Sequence, residues 1–236
     1  HVLNQNNQLD MLLATEDGIG SPVIVYYSGS QDKDFMYARY TGPFDATAAS
    51  PGAGNCGYNS QYQMIGNWEC EILDRDQTPP PNEKSFGSEN SLVVDSTGVY
   101  HTAYVAGGFT GGFPANQLAD IKYAKYVGSG AGDCYSGSDW SCTYIEELFG
   151  VETDSTRYDS PIILLVGDVP HIIYTMRAPD DKIKHAAYVG AGGNCGNEEW
   201  NCEEIVSTSE VDRVSADYDS TNSLIHVVFS DTINVD

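Results

Sequence analysis

Six cysteines, five histidines and 34 acids are the residues with chemical potential in this chain. The cysteines carry the clearest pattern. They form three local pairs, Cys56/Cys70, Cys134/Cys142 and Cys195/Cys202. Each pair sits in a segment of one form: Gly-x-Cys, a gap, Trp-x-Cys, then an apolar residue. The segments are GNCGYNSQYQMIGNWECEI (54–72), GDCYSGSDWSCTYI (132–145) and GNCGNEEWNCEEI (193–205). An even count in close pairs points to disulfides and an oxidising compartment. A zinc site would need Cys-x-x-Cys or histidines at ligand spacing, and neither is present. Each bridge closes a short loop, so it should contribute at or below about 2–4 kcal/mol by pinning a hairpin that would otherwise fray.

The acids outnumber Lys plus Arg by 34 to 11, a net charge of −23. Such a surface repels phosphate backbones, which argues against nucleic acid as a partner. The acidity reads first as solubility, with no cofactor required. Calcium is the cation it leaves open, and Asp74/Asp76 and Asp154/Asp159, in polar stretches, are its candidate ligands although neither pair follows EF-hand spacing. The sequence has no Gly-x-Ser-x-Gly elbow, His-Glu-x-x-His, phosphate loop or haem Cys-x-x-Cys-His. No run of 18 apolar residues occurs, so no membrane-inserting helix is expected.

The elements that would position these residues repeat. Strand-like runs precede each Cys segment: FMYARYTG (35–42), IKYAKYVG (121–128) and IKHAAYVG (183–190). Before them lie PVIVYYS (22–28), VYHTAYVA (99–106), PHIIYTM (170–176) and LIHVVFSD (224–231). Earlier still come LDMLLATEDG (9–18), SLVVDSTG (91–98), SPIILLVGD (160–168) and RVSADYDSTN (213–222), several ending in tight-turn residues. These runs are short, β-branched and aromatic, and no stretch shows sustained helical periodicity. One unit therefore reads strand, tight turn, strand, strand, Cys loop, strand. Radial repetition of such units predicts an all-β, β-propeller domain of about four blades over 1–236. Each blade would hold four antiparallel strands with a disulfide-stapled outer hairpin. The repeats span about 9–72, 88–145, 158–205 and 211–236, the last completed by 1–3, unless the chain is part of a larger propeller.

Asp95, Gly98, His101 and Tyr104, followed by Ile121, Lys122, Tyr123 and Ala124, resemble the tandem β-propeller-like repeats of secreted and cell-surface bacterial proteins. The resemblance covers nearly the whole chain and implies the fold and an extracellular or cell-surface setting. It implies no activity. The Asp box of sialidases is absent.

His101, His171 and His226 share one repeat position, with Val23 in the first unit. Strands second from a propeller axis hold their side chains too far apart for one ion, so these histidines are expected to be structural. Trp68, Trp140 and Trp200 share another position and are expected to pack beside the disulfides. The unrepeated loops are the candidate ligand-binding surface: Phe109, Phe113 and Phe149 as apolar anchors, with Asp74 and Asp76 beside them. The expected function is a non-catalytic extracellular module binding other proteins, with a lectin-like glycan binder second and a glycan-cleaving enzyme third. Intact-mass measurement of the native chain should find six hydrogens fewer than in the reduced chain, one for each cysteine; a full set of thiols would remove the disulfide reading.

Overall fold

The computed structural model describes residues 9–14, 21–28, 34–42, 54–58, 64–75, 86–107, 119–147, 157–177, 181–208 and 211–231. Its regular elements are all strands. The first sheet contains β1 (Leu9–Ala14), β2 (Ser21–Tyr27), β3 (Phe35–Tyr40), β4 (Cys56–Tyr58) and β5 (Met64–Asp74), with the short β4 outside β5. The second holds β6 (Phe86–Val94), β7 (Tyr100–Gly107), β8 (Ala119–Tyr126) and β9 (Trp140–Glu146) in chain order. The third repeats this with β10 (Arg157–Val166), β11 (Val169–Arg177), β12 (Asp181–Tyr188) and β13 (Trp200–Thr208). The fourth pairs β14 (Val211–Asp219) with β15 (Leu224–Asp231). Every pairing is antiparallel.

Consecutive sheets pack on one another, chiefly through their leading strands: β1 and β2 against β6, β6 and β7 against β10, β10 and β11 against β14. The second sheet is therefore covered on both faces, and every residue of β7 is buried. This is why YHTAYVAG lacks the apolar–polar alternation of a one-faced strand. The fourth sheet does alternate. Val214, Ala216, Ile225 and Val227 turn toward the third sheet, while Arg213, Ser215, Asp217 and Ser230 are exposed.

Three disulfides form as expected, Cys56–Cys70, Cys134–Cys142 and Cys195–Cys202, with Cα separations of 5.9, 4.8 and 5.2 Å. The local geometry explains the rest of the motif. The middle residue of Gly-x-Cys is Asn or Asp, and its side chain pairs with the second cysteine. Cys70 N–H donates to Asn55 Oδ1 (2.7 Å), Cys142 N–H to Asp133 Oδ1 (2.8 Å), and Cys202 N–H to Asn194 Oδ1 (2.6 Å). The tryptophan carbonyl accepts from the first cysteine, with Cys134 N–H and Cys195 N–H donating to Trp140 and Trp200 at 3.1 Å. A Cβ on Gly132 or Gly193 would lie 2.1 or 1.9 Å from that same carbonyl oxygen, so only glycine fits.

A second repeated device joins the sheets. Lys122 on β8 reaches Asp74, the last residue of β5 in the preceding sheet, and both are almost fully buried. Tyr104 donates its hydroxyl to the same carboxylate at 2.5 Å. One junction further on, Lys184 and Tyr174 meet Glu146 of the second sheet at 2.5 and 2.9 Å. At the junction after that, the acid position holds Val206 and the tyrosine position Phe229. The lysine position of the fourth copy holds Asn234, so both charges leave together, as expected when an unpaired buried charge is costly.

Removing one partner should therefore be severe. Asp74→Ala is expected to cost about 3–5 kcal/mol in urea unfolding, because it strands the Lys122 ammonium. The triple change Asp74→Val, Lys122→Met, Tyr104→Phe should recover most of that loss. A triple variant no more stable than the single one would show that the trio does not act as a unit.

Candidate functional site: a cleft at the third junction

The first two junctions are closed by one tryptophan each. Trp140, at 0% exposure, packs edge-on against Tyr37 of the preceding sheet (5.3 Å) and donates Nε1–H to Glu71 Oε1 at 2.8 Å. Trp200, also at 0%, packs edge-on against Tyr123 (5.0 Å). Its Nε1 has no partner among the described residues, since Thr143 stands where the first junction has Glu71. The Cys loops lean on the same neighbours: Tyr135 donates to the Ile72 carbonyl (3.0 Å) and Asn197 to Thr143 (2.5 Å). The tryptophans are therefore inter-sheet knobs as well as neighbours of the disulfides. At zero exposure, Trp140 and Trp200 offer no stacking surface for a sugar.

Of the three repeated histidines, His101 is buried and fully engaged. Its Nε2 meets Asp95 Oδ2 (3.1 Å) and its Nδ1 meets Tyr123 Oη (2.6 Å). Desolvation pushes Asp95 upward, but hydrogen bonds from Val99, Thr97 and His101 outweigh it and hold this carboxyl well below its ordinary range. This histidine ties the β6–β7 turn to β8, which is the structural role expected. The turn is latched onward too, because Ser96 N–H donates to Asp168 Oδ1 at 2.9 Å. His226 is largely exposed, 3.9 Å from Asp219.

His171 differs. Val166 replaces the aspartate and His185 replaces the tyrosine. His171 Nδ1 and His185 Nε2 lie 2.8 Å apart, with the rings nearly parallel at 13°, and Glu203 Oε1 meets His185 Nδ1 at 2.8 Å. The carboxylate fixes the direction of the chain. It accepts from His185 Nδ1–H, which leaves His185 Nε2 to accept from His171 Nδ1–H. His171 Nε2 is then left with an outward lone pair.

The trio borders a cleft of about 540 Å³ between the third and fourth sheets. Ile173, Ile205, Leu224, Ile225 and Val227 form its apolar wall, and Tyr218 and Ser223 supply hydroxyls from the fourth sheet. Ile205 is 44% exposed, whereas its repeat equivalents Leu73 and Ile145 are at 0%. This junction is closed on its inner side by Val211, Val214 and Ala216, and open on its outer side.

Of the acids and loop residues singled out from the sequence, Asp74 and Asp159 lie among the described residues and Asp154 does not. Phe109, Phe113, Phe149 and Asp76 lie outside the described residues. Asp74 sits at a strand end rather than in a polar loop, buried with Lys122. Asp159 lies in β10 and accepts from Arg177 Nε at 3.0 Å. Among the described residues, no group of three or more His, Cys, Asp and Glu side chains could hold a metal ion. Sequence reading passed over His185 and Glu203. The signal was there, in the Tyr-to-His change between IKYAKYVG and IKHAAYVG, but periodicity alone gave it no partner. Comparison with known protein families and with curated proteins finds no match.

Burial, and then repulsion from the neighbouring His185, hold the His171 pKa below its ordinary value. The charged form is disfavoured in the fold, so its contribution is fully present above about pH 6.5 and lost as the pH falls toward the folded pKa. His101 is lowered by burial in the same sense, with Asp95 opposing. Protonation of the many acids also changes stability in this range, so the informative quantity is a difference. His171→Gln should show a shallower loss of Tm than the parent between about pH 7.5 and pH 5. Parallel curves would mean that the histidine pair does not sense pH.

Proposed function

We propose that this chain is a non-catalytic binding module of an extracellular or cell-surface structure, and that its partner is a protein. Leading-strand contacts between consecutive antiparallel sheets support a radial, propeller-like arrangement of the kind that the resemblance to secreted bacterial repeat proteins implies. Three disulfides support an oxidising environment. No helix among the described residues is long and apolar enough to cross a membrane.

The observation that carries the reading is where apolar surface remains open. Ile205 (44% exposed) and Leu224 (53%) line the cleft at the third junction, and Val228 (71%) and Phe229 (39%) lie further along β15. Among the described residues β15 pairs with β14 alone, and this reading assigns its second edge to a strand of the partner. An edge strand bearing apolar side chains is a surface for strand addition, where backbone bonds give affinity and side-chain pockets give specificity. Solvent-exposed apolar groups that cluster in this way mark protein contacts rather than a solvated face.

Crosslinking in native extracellular medium, with contacts mapped by mass spectrometry, should place the partner on β13 and β15. The Val228→Asp/Phe229→Asp variant should lose those crosslinks while keeping its Tm. Crosslinks that persist in this variant would reject the surface, and a glycan-array response with no protein contact would favour the lectin-like reading instead.

A further inference from the structure

We infer that the cleft at the third junction is a slot for an indole ring, filled by a tryptophan that a partner strand presents. The inference rests on the protein-binding reading above and specifies which side chain the partner contributes.

The template is inside the molecule. At the first junction an indole lies against Tyr37 on the third strand, over Leu73 and with its N–H on Glu71, both from the fourth strand. At the second it lies against Tyr123, with Ile145 in the same cluster. The third junction presents the equivalent positions: His185 for the tyrosine, Ile205 for the leucine and Glu203 for the glutamate. All three line the cleft. A flat imidazole can take the edge of an indole as a phenol ring does.

Glu203 also restores the acceptor that the second junction lacks. Trp200 Nε1 is buried without a partner opposite Thr143. Glu71 shows what the carboxylate can do, since it accepts from Trp140 while half-buried. Glu203 has one oxygen on His185 and its side chain is 65% exposed, which leaves it acceptor capacity. The wall opposite is apolar, formed by Leu224, Ile225 and Val227. A cleft of about 540 Å³ has room for an indole together with the backbone that carries it. Phenylalanine would fill the space but leave Glu203 without a donor; lysine or arginine would satisfy Glu203 but not the apolar wall.

The test uses free indole and benzothiophene, which has the same shape and no N–H. Each is titrated to about millimolar concentration into the folded chain, with the Ile205 and Leu224 methyl signals followed by NMR. Indole should shift both methyls and bind about tenfold more tightly than benzothiophene, the value of one hydrogen bond to a charged acceptor. In Glu203→Ala the two ligands should bind equally; the exposed site keeps this variant folded, which its Tm checks. Absence of indole shifts at these methyls, or equal affinity of the two ligands for the parent chain, would overturn the slot. If crosslinks to β15 persist while indole fails, the slot falls and the binding module stands. If indole binds while the crosslinks are absent, the binding reading falls.

Discussion

The structure depends on the insertion of one sheet's outer tryptophan against the third strand of the sheet before it. A four-stranded antiparallel sheet cannot cover its own faces, so each unit is stable only against neighbours. Trp140 and Trp200 make that dependence specific, because a ring at zero exposure between two sheets fixes their relative position more narrowly than aliphatic contact would. The buried lysine–acid–tyrosine sets add a penalty for any other seating. A junction that slipped would leave Lys122 or Lys184 in a low-dielectric interior without its carboxylate.

The same units explain where the protein is open. The inner half of each junction is closed by apolar side chains, aromatic as well as aliphatic at the first two. The outer half is closed only where a fourth strand brings its tryptophan, and the third junction has a cleft there with an exposed isoleucine at its rim. The cleft lies where one copy departs from its siblings. His171 is the clearest case: in the second sheet its counterpart is locked between Asp95 and Tyr123, while here it leads a Glu–His–His chain into solvent-reachable space.

Much of this was legible in the residues. The four-strand unit, the disulfide pairs and the structural role of His101 follow from spacing, because strand runs and turn residues are local signals. The roles of Lys122 and Asp74 were hidden for the opposite reason. They lie 48 residues apart and meet across a junction, and a lone aspartate after WECEIL looks like the first residue of a loop. The need for glycine at 132 and 193 was visible as a pattern but not as a cause, since the clash it avoids is with a carbonyl brought near by folding. His185 and Glu203 fall between these cases. Their positions could be aligned, yet only the open junction gives the substitutions a meaning.

The three sulfur bridges join cysteines 14, 8 and 7 residues apart, each tying the segment before the outer strand to that strand. Six cysteines allow 15 connectivities, but these separations give each cysteine a nearby mate and keep the wrong ones far off. Oxidation can then proceed cassette by cassette as the chain emerges, before later units exist. A chain folding under oxidising conditions would need little shuffling by a thiol exchange catalyst, and losing one bridge would loosen one unit without scrambling the others.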